Sequence, residues 1–287
     1  MSTSAQAAVL LISCPDQPGI VAAVTAFIAQ HGGNILDLEQ HSDEASRSFL
    51  MRLEWDRRAF ALGLDDIPAA FAEIAGRFHM TWEVRRCDVQ SRIALFVTRE
   101  PHCLVELLAR QQAGEWNAVI PLVVSNREDL RDVAERFGVP FHHLPVDPAD
   151  KPAQEAKALA LLAEHHVDLV VLARYMQVLS GDFIRHFPSR VINIHHSFLP
   201  AFPGARPYHQ AYARGVKVIG ATSHYVTEEL DAGPIIAQDV VRVSHRDAVE
   251  DLVRKGRDVE KLVLARAVAA HLEHRVLVCG NRTIVFQ

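Results

Sequence analysis

The sequence predicts a two-domain α/β protein: a ferredoxin-like βαββαβ domain over residues 1–88, then a doubly wound, mostly parallel sheet over 89–287. Three observations carry this expectation. A chain of 287 residues can bury two modest cores, whereas one domain of that length is unusual. Up to about residue 90 the apolar patterns follow the order strand, helix, strand, strand, helix, strand, which is the split βαβ unit. Beyond it, unbroken apolar runs such as Leu169-Val170-Val171-Leu172 alternate with helical segments. Strands of that kind need both faces covered by crossover helices, which implies a parallel sheet.

Residues 8–13 are a short apolar run, ended by Cys14-Pro15-Asp16-Gln17-Pro18-Gly19, where prolines and a glycine force a turn. Over 20–30, Ile20, Val24, Phe27 and Ile28 recur at helical spacing, and His31-Gly32-Gly33 stops the helix. Strands over 34–41 and 48–55 flank a polar turn. A helix over 67–78 and a strand over 80–87 complete an antiparallel sheet with helices on one face. In the second domain the expected strands are 92–98, 117–125, 140–144, 168–173, 190–195 and 218–226, and the helices 103–112, 127–137 and 153–165. Ligands of such sheets bind beyond the carboxyl ends of the strands, so polar residues there are the first candidates.

Hydrophobic residues make up 49% and charged residues 23%, a balance that excludes a disordered chain. The net charge of -5 comes without a basic stripe, so nucleic acid is not an expected partner and a small substrate is. No apolar run approaches the roughly 18 to 20 residues that span a bilayer. Residues 1–8 lack a basic region and a cleavage pattern, so the expected location is the cytoplasm, away from membranes. Cys14, Cys87, Cys103 and Cys279 form no C-x-x-C pair, and are expected as reduced, small core residues. The pairs His142-His143, His165-His166 and His195-His196 are poor chelators, because neighbours on a strand face opposite sides and no carboxylate or cysteine completes a set. No metal site is expected.

The richest polar segment runs from Asn193 to Gly233. Asn193 and His195 end an apolar strand two residues apart, so the pleat points both to one face. Asp231 sits in a loop after the 218–226 strand, just before a Gly-Pro turn. An amide, an imidazole and a carboxylate suit acyl chemistry: Asn193 and protonated His195 can donate to a developing oxyanion, while Asp231 can take a proton from the nucleophile. A burial-raised pKa would make Asp231 a better base. The plainer alternative is that Asp231 only caps the turn before Gly233.

Asn193-Ile194-His195-His196-Ser197-Phe198-Leu199-Pro200-Ala201-Phe202-Pro203-Gly204, with Asp231-Ala232-Gly233 placed 36 residues after His195, resembles the formyltetrahydrofolate-dependent formyltransferases. The resemblance implies catalytic roles for Asn193, His195 and Asp231. Leu172-Ala173-Arg174-Tyr175-Met176-Gln177-Val178-Leu179 looks like that family's folate-binding strand end, whose main-chain groups hold the pterin. Substrate contacts are thereby implied at Met176, Gln177, Leu179, His196 and Gly233. For His196, where many relatives have proline, a role in pocket shape or water access stands beside a structural one.

Two departures narrow the branch. Members that formylate glycinamide ribonucleotide cradle its phosphate in a glycine-rich loop after the first strand. Here that loop is Thr98-Arg99-Glu100-Pro101-His102-Cys103, without glycine, which leaves water as the nucleophile. The N-terminal domain looks like an ACT domain, with Asp16-Gln17-Pro18-Gly19-Ile20 at its characteristic turn. ACT domains bind amino acids there between two copies, so the resemblance implies an effector site at Asp16, Gly19 and Ile20 and a homo-oligomer; a simple tight turn is the alternative. The two-domain arrangement, together with Val243-Ser244-His245-Arg246-Asp247 and Arg254-Lys255-Gly256-Arg257-Asp258, resembles the formyltetrahydrofolate deformylases. The resemblance implies hydrolysis of 10-formyltetrahydrofolate to formate and tetrahydrofolate, without a cofactor, in support of one-carbon balance and purine synthesis. Transfer of the formyl group to an amine acceptor is the alternative activity, and a catalytically dead binding regulator the alternative class.

Overall fold

Residues 6–147, 149–201 and 207–287 are described by this computed structural model. Residues 1–5 of the N-terminal segment, and Phe202, Pro203 and Gly204 of the family motif, lie outside the described residues. The chain divides into two compact units: one runs up to Gln90 and includes Glu273–Cys279 and Ile284–Gln287, the other comprises Ser91–Leu272 and Gly280–Thr283.

The first unit contains β1 (Ala7–Pro15), α1 (Ile20–Gln30), β2 (Asn34–Asp43), β3 (Ser48–Asp56), α2 (Ile67–Arg77) and β4 (Thr81–Arg86). Its four strands lie in the order β2-β3-β1-β4, with every neighbouring pair antiparallel. Period-2 alternation decides what each face buries. Ala8, Leu10, Ile12 and Cys14 of β1 and Phe49, Met51, Leu53 and Trp55 of β3 share a core with Ile20, Val24, Phe27 and Ile28 of α1 and Phe71 of α2. Arg52 alternates with Met51 and Leu53. Its guanidinium pairs with Asp37 and Glu54 and donates to the carbonyls of Glu273 and His274, which fastens the chain's last segment into this unit. Sequence periodicity has no signal for that return.

The second unit contains β5 (Ser91–Val97), α3 (His102–Gln112), β6 (Ala118–Ser125), α4 (Arg131–Arg136), β7 (Phe141–His143), α5 (Lys151–Glu164), β8 (Leu169–Leu172), α6 (Gly181–His186), β9 (Val191–His195), α7 (Pro207–Arg214), β10 (Val218–Tyr225), β11 (Ile235–Arg242) and α8 (Val249–Leu272). After α8, β12 (Val276–Cys279), which belongs to the first unit, and β13 (Arg282–Val285) pair as a two-stranded sheet. The large sheet has the order β11-β10-β9-β8-β5-β6-β7. Pairs from β9 through β7 are parallel, and β10 and β11 add antiparallel. The expected fold class is thus borne out.

The strand order reverses between β5 and β8, and that switch point is where a doubly wound sheet opens a crevice. The loops after β5 and β8 meet there: the Met176 backbone N–H donates to Thr98 Oγ1 at 3.0 Å. Behind them Phe96 and Tyr175 stack edge to face at 5.3 Å, which anchors the loop after β8 to the core.

Several features depart from expectation. The 127–137 helix shortens to Arg131–Arg136, because Ser125 Oγ accepts from Arg127 N and an Arg127–Asp129 ion pair closes a turn before it. The 24-residue α8, the edge strand β11 and the short helices α6 and α7 were not among the expected elements. Cys14 and Cys103 are buried, but Cys87 and Cys279 are only partly so, which corrects their reading as core residues.

Candidate active site

A cavity of about 520 Å³ opens beyond the carboxyl ends of β8 and β9. Arg174, Met176, Gln177 and Leu179 line it from the β8 loop, Asn193 and His195 from β9, His196 from just after β9, His224 from β10, and Asp231 from the loop after β10. Antiparallel pairing of β9 with β10 sets His224 opposite Asn193 and Thr222 opposite His195. Register therefore fixes which polar groups meet.

His195 Nδ1 lies 3.2 Å from Asp231 Oδ2. A carboxylate can only accept, so Nδ1 carries the hydrogen and Nε2 is left to the other side of the ring. Nε2 is buried and has no hydrogen-bond partner among the described residues. Asp231 reaches the imidazole from a left-handed backbone conformation, φ 54°, which a short polar side chain tolerates. Two residues on, a Cβ at Gly233 would fall 1.8 Å from the Tyr225 carbonyl oxygen, so the loop closes only with glycine. Gly233 is buried in that turn and is not among the residues that line the cavity.

The hydrogen bond from His195, followed by the contact with His224, holds the Asp231 carboxyl well below the usual carboxylate range, more than burial raises it. At 3.8 Å the His224 Nε2–Asp231 Oδ1 approach is too long for a hydrogen bond, so His195 is the partner that matters. The shift is opposite to the burial-driven rise that would have made Asp231 a stronger base. His224 instead serves Asn193. Its Nδ1 donates to the Tyr225 carbonyl at 2.9 Å, which leaves Nε2 to accept from Asn193 Nδ2 at 3.2 Å. One amide hydrogen of Asn193 is thereby fixed, and the other has no acceptor among the described residues. His224 was not singled out from sequence, although its place near the end of an expected strand was a usable signal.

On the binding side, Met176 is 57% exposed and Leu179 is buried, and both line the cavity with Gln177. The Met176 N–H is committed to Thr98 Oγ1, which in turn donates to Asn126 Oδ1 at 2.9 Å, so that main-chain donor is not available to a pterin. At the loop after β5, Glu100 pairs with Arg257 at 2.7 Å. A carboxylate there adds repulsion to the missing glycines and disfavours a phosphate.

Beside the cavity, His102, Cys103 and Glu260 bring ligand-type atoms within 4.8 Å of one another. No sequence spacing announces this cluster, because α3 and α8 are far apart in the chain. Its carboxylate is already committed. Glu260, 1% exposed, accepts from Tyr208 Oη at 2.5 Å and His102 Nε2 at 2.8 Å, with Arg174 Nε 3.4 Å away. Burial raises its pKa, but the His102 hydrogen bond and the Arg174 charge outweigh that and hold it at about 2. Burial, reinforced by Glu260, keeps the Cys103 thiol well above its ordinary value and so protonated. These residues form a polar network centred on the Glu260 carboxylate, in which His102 Nδ1 and Arg174 Nε have no hydrogen-bond partner among the described residues.

At the N-terminal turn, Asp16 and Gly19 are exposed, and Gly19 precedes α1 with φ 96°. Ile20 is 1% exposed and belongs to the core, so its side chain is not available to an effector. No helix among the described residues is long and apolar enough to cross a membrane.

Residues 91–268 match the formyl transferase family model and residues 8–67 the ACT domain model. A formyltetrahydrofolate deformylase of Synechocystis is 54% identical over 279 residues, covering 97% of this chain and 98% of the relative. The crystal structure of a formyltetrahydrofolate deformylase from Pseudomonas syringae pv. tomato superposes with a TM-score of 0.95 at 52% identity, covering 98% of this chain and 94% of that one. A glycinamide ribonucleotide transformylase from Symbiobacterium toebii matches 69% of this chain and 95% of its own, with a TM-score of 0.65 and 35% identity.

Proposed function

The chain belongs to the formyltetrahydrofolate deformylase family, and from that premise we propose that it hydrolyses 10-formyltetrahydrofolate to formate and tetrahydrofolate, with His195 moving the proton. The observation that carries the assignment of roles is the His195–Asp231 pair, with its far nitrogen buried at the cavity. A carboxylate whose pKa is depressed is a weak proton acceptor, so Asp231 serves to fix the imidazole tautomer and to stabilise the imidazolium as it forms. Water attacks the formyl carbon and gives its proton to His195 Nε2. The other Asn193 amide hydrogen meets the charge that develops on the formyl oxygen. The C–N10 bond then breaks, and Nε2–H returns the proton to N10. Asp231 thus orients, where the residue pattern had made it the base.

Met176, Gln177, Leu179 and His196 contact the substrate from the cavity wall. Formate release from 10-formyltetrahydrofolate with no acceptor present tests the activity. Tetrahydrofolate that appears only when an amine acceptor is added, with the formyl group recovered on that acceptor and no formate released, would favour the transferase reading. The N-terminal domain, matched to ACT domains, takes an amino-acid effector at the exposed Asp16–Gly19 turn of a homo-oligomer. Glycine or methionine at millimolar concentration is expected to change turnover or thermal midpoint, within the roughly 5- to 150-fold span of allosteric coupling. No response to any amino acid would leave the domain as an assembly module.

A further inference from the structure

His196 is adjacent in sequence to the proton-transferring residue, yet just at the end of β9 both residues line the same cavity, with ring centroids 5.2 Å apart. It makes no hydrogen bond to any other described residue that would occupy its nitrogens. On its other side stands the Tyr208 ring, at 6.2 Å between centroids. That tyrosine is held from behind: its hydroxyl donates to the buried Glu260 of α8, and it reaches that helix where residue 256 is glycine. A Cβ at Gly256 would lie 2.0 Å from the Tyr208 hydroxyl. A glycine inside a helix costs about 1 kcal/mol relative to alanine, so the gap is a standing expense accepted for this contact.

Hydrolysis needs more than a base. A water molecule free to tumble seldom aims a lone pair at a carbonyl carbon, and fixing its two hydrogens on two acceptors leaves a lone pair directed outward. We propose that His196 is a further catalytic residue, which together with Nε2 of His195 holds the attacking water by its two hydrogens, and that Tyr208 and Glu260 position it. This rests on the assignment of His195 as the proton carrier. In the step itself, the hydrogen held by His195 leaves with the transfer to Nε2. The hydrogen held by His196 stays on the oxygen as the new C–O bond forms, and departs with formic acid, which ionises in solvent. His196 therefore acts as an acceptor and never needs to be charged. Burial, then the Arg174 charge, push its pKa down to about 4, against the opposing pull of Glu260 and Asp231, while His195 adds to the lowering. An imidazole kept neutral in this way retains the lone pair that the role requires.

The test is made on the full-length protein with 10-formyltetrahydrofolate as substrate. His196→Ala is expected to lower kcat about 100-fold with KM changed less than about threefold, and millimolar imidazole is expected to restore part of the loss. His196→Asn, which keeps a polar side chain and lets folding be checked separately, is expected to fall between wild type and alanine. Glu260→Gln is expected to lower kcat about tenfold at unchanged KM. In the His196→Ala background it should add no further loss, because both act on one water. Near-normal kcat in His196→Ala, or a loss that imidazole does not rescue in a folded variant, overturns the role of His196. A multiplicative double variant overturns the positioning role of Glu260. His195→Ala run in parallel separates the two levels: if it abolishes turnover while His196→Ala does not, the inference falls and the His195 assignment stands. If His195→Ala keeps its turnover, both fall.

Discussion

Two carboxylates in the second unit each hold a histidine, and they do opposite things. Asp231 faces one imidazole at 3.2 Å from a loop, and the far nitrogen of that imidazole is left without a partner at a cavity. Glu260 lies in the middle of a long helix at 1% exposure and is met by Tyr208, His102 and Arg174. Both are held ionised by their neighbours, so a depressed pKa alone does not separate a reactive pair from a structural one. What separates them is where the hydrogen-bond capacity ends. Both chains of hydrogen bonds end on a buried imidazole nitrogen with no partner among the described residues, His102 Nδ1 and His195 Nε2, but of the two histidines it is His195 that lines the cavity.

Substitution of each carboxylate by its amide sharpens that contrast. Asp231→Asn retains shape but loses the charge that fixes the His195 tautomer, and is expected to lower kcat by about 100-fold or more with folate affinity largely kept. Combined with His195→Ala it should lose far less than the product of the two, since the pair serves one transition state. Steady-state kinetics decide this, and near-normal turnover in Asp231→Asn would remove the pair from the chemistry. For Glu260→Gln the larger readout is stability. The change leaves His102 and Arg174 facing a neutral amide in a buried site, and a loss of about 2 to 3 kcal/mol is expected by chemical denaturation. An unchanged denaturation midpoint would mean that the network is not structural.

The smallest effect is in the pH dependence of stability. Glu260 is held at about 2 in the folded state, below the roughly 4.3 of a free glutamate. A depressed carboxyl contributes stability that is complete above the unfolded value and is lost as pH falls through the folded one. The thermal midpoint of the wild type is therefore expected to drop between about pH 5 and pH 2 more steeply than that of Glu260→Gln. Parallel curves would show that Glu260 is not linked to folding in this range.

The two units also differ in how far their sequences disclosed them. In the first, period-2 strands and 3.6-period helices named the core residues directly, since Ile20, Val24, Phe27 and Ile28 of α1 all pack inward. The Arg52 clamp on the carbonyls of Glu273 and His274 could not be foreseen, because it joins positions more than 220 residues apart. In the second unit the apolar strands declared a parallel sheet, and the spacing of Asn193 and His195 on one strand declared a shared face.

The sequence by itself determined what is local: the element order, the faces that pack, the motif that places an amide, an imidazole and a carboxylate in one family, and the absence of glycine at the 98–103 loop. Tertiary structure decided what depends on partners brought from elsewhere in the chain. Asp231 has a depressed rather than a raised pKa because a hydrogen bond from His195 outweighs its partial burial. His224 belongs to the site because antiparallel register sets it across from Asn193. Gly233 is a packing residue because the Tyr225 carbonyl fills the space of its Cβ. Ile20 is core because α1 turns it inward. Periodicity is a property of neighbours along the chain, whereas a pKa, a tautomer or a polar network depends on distances across it, and those exist only once the sheet has assembled.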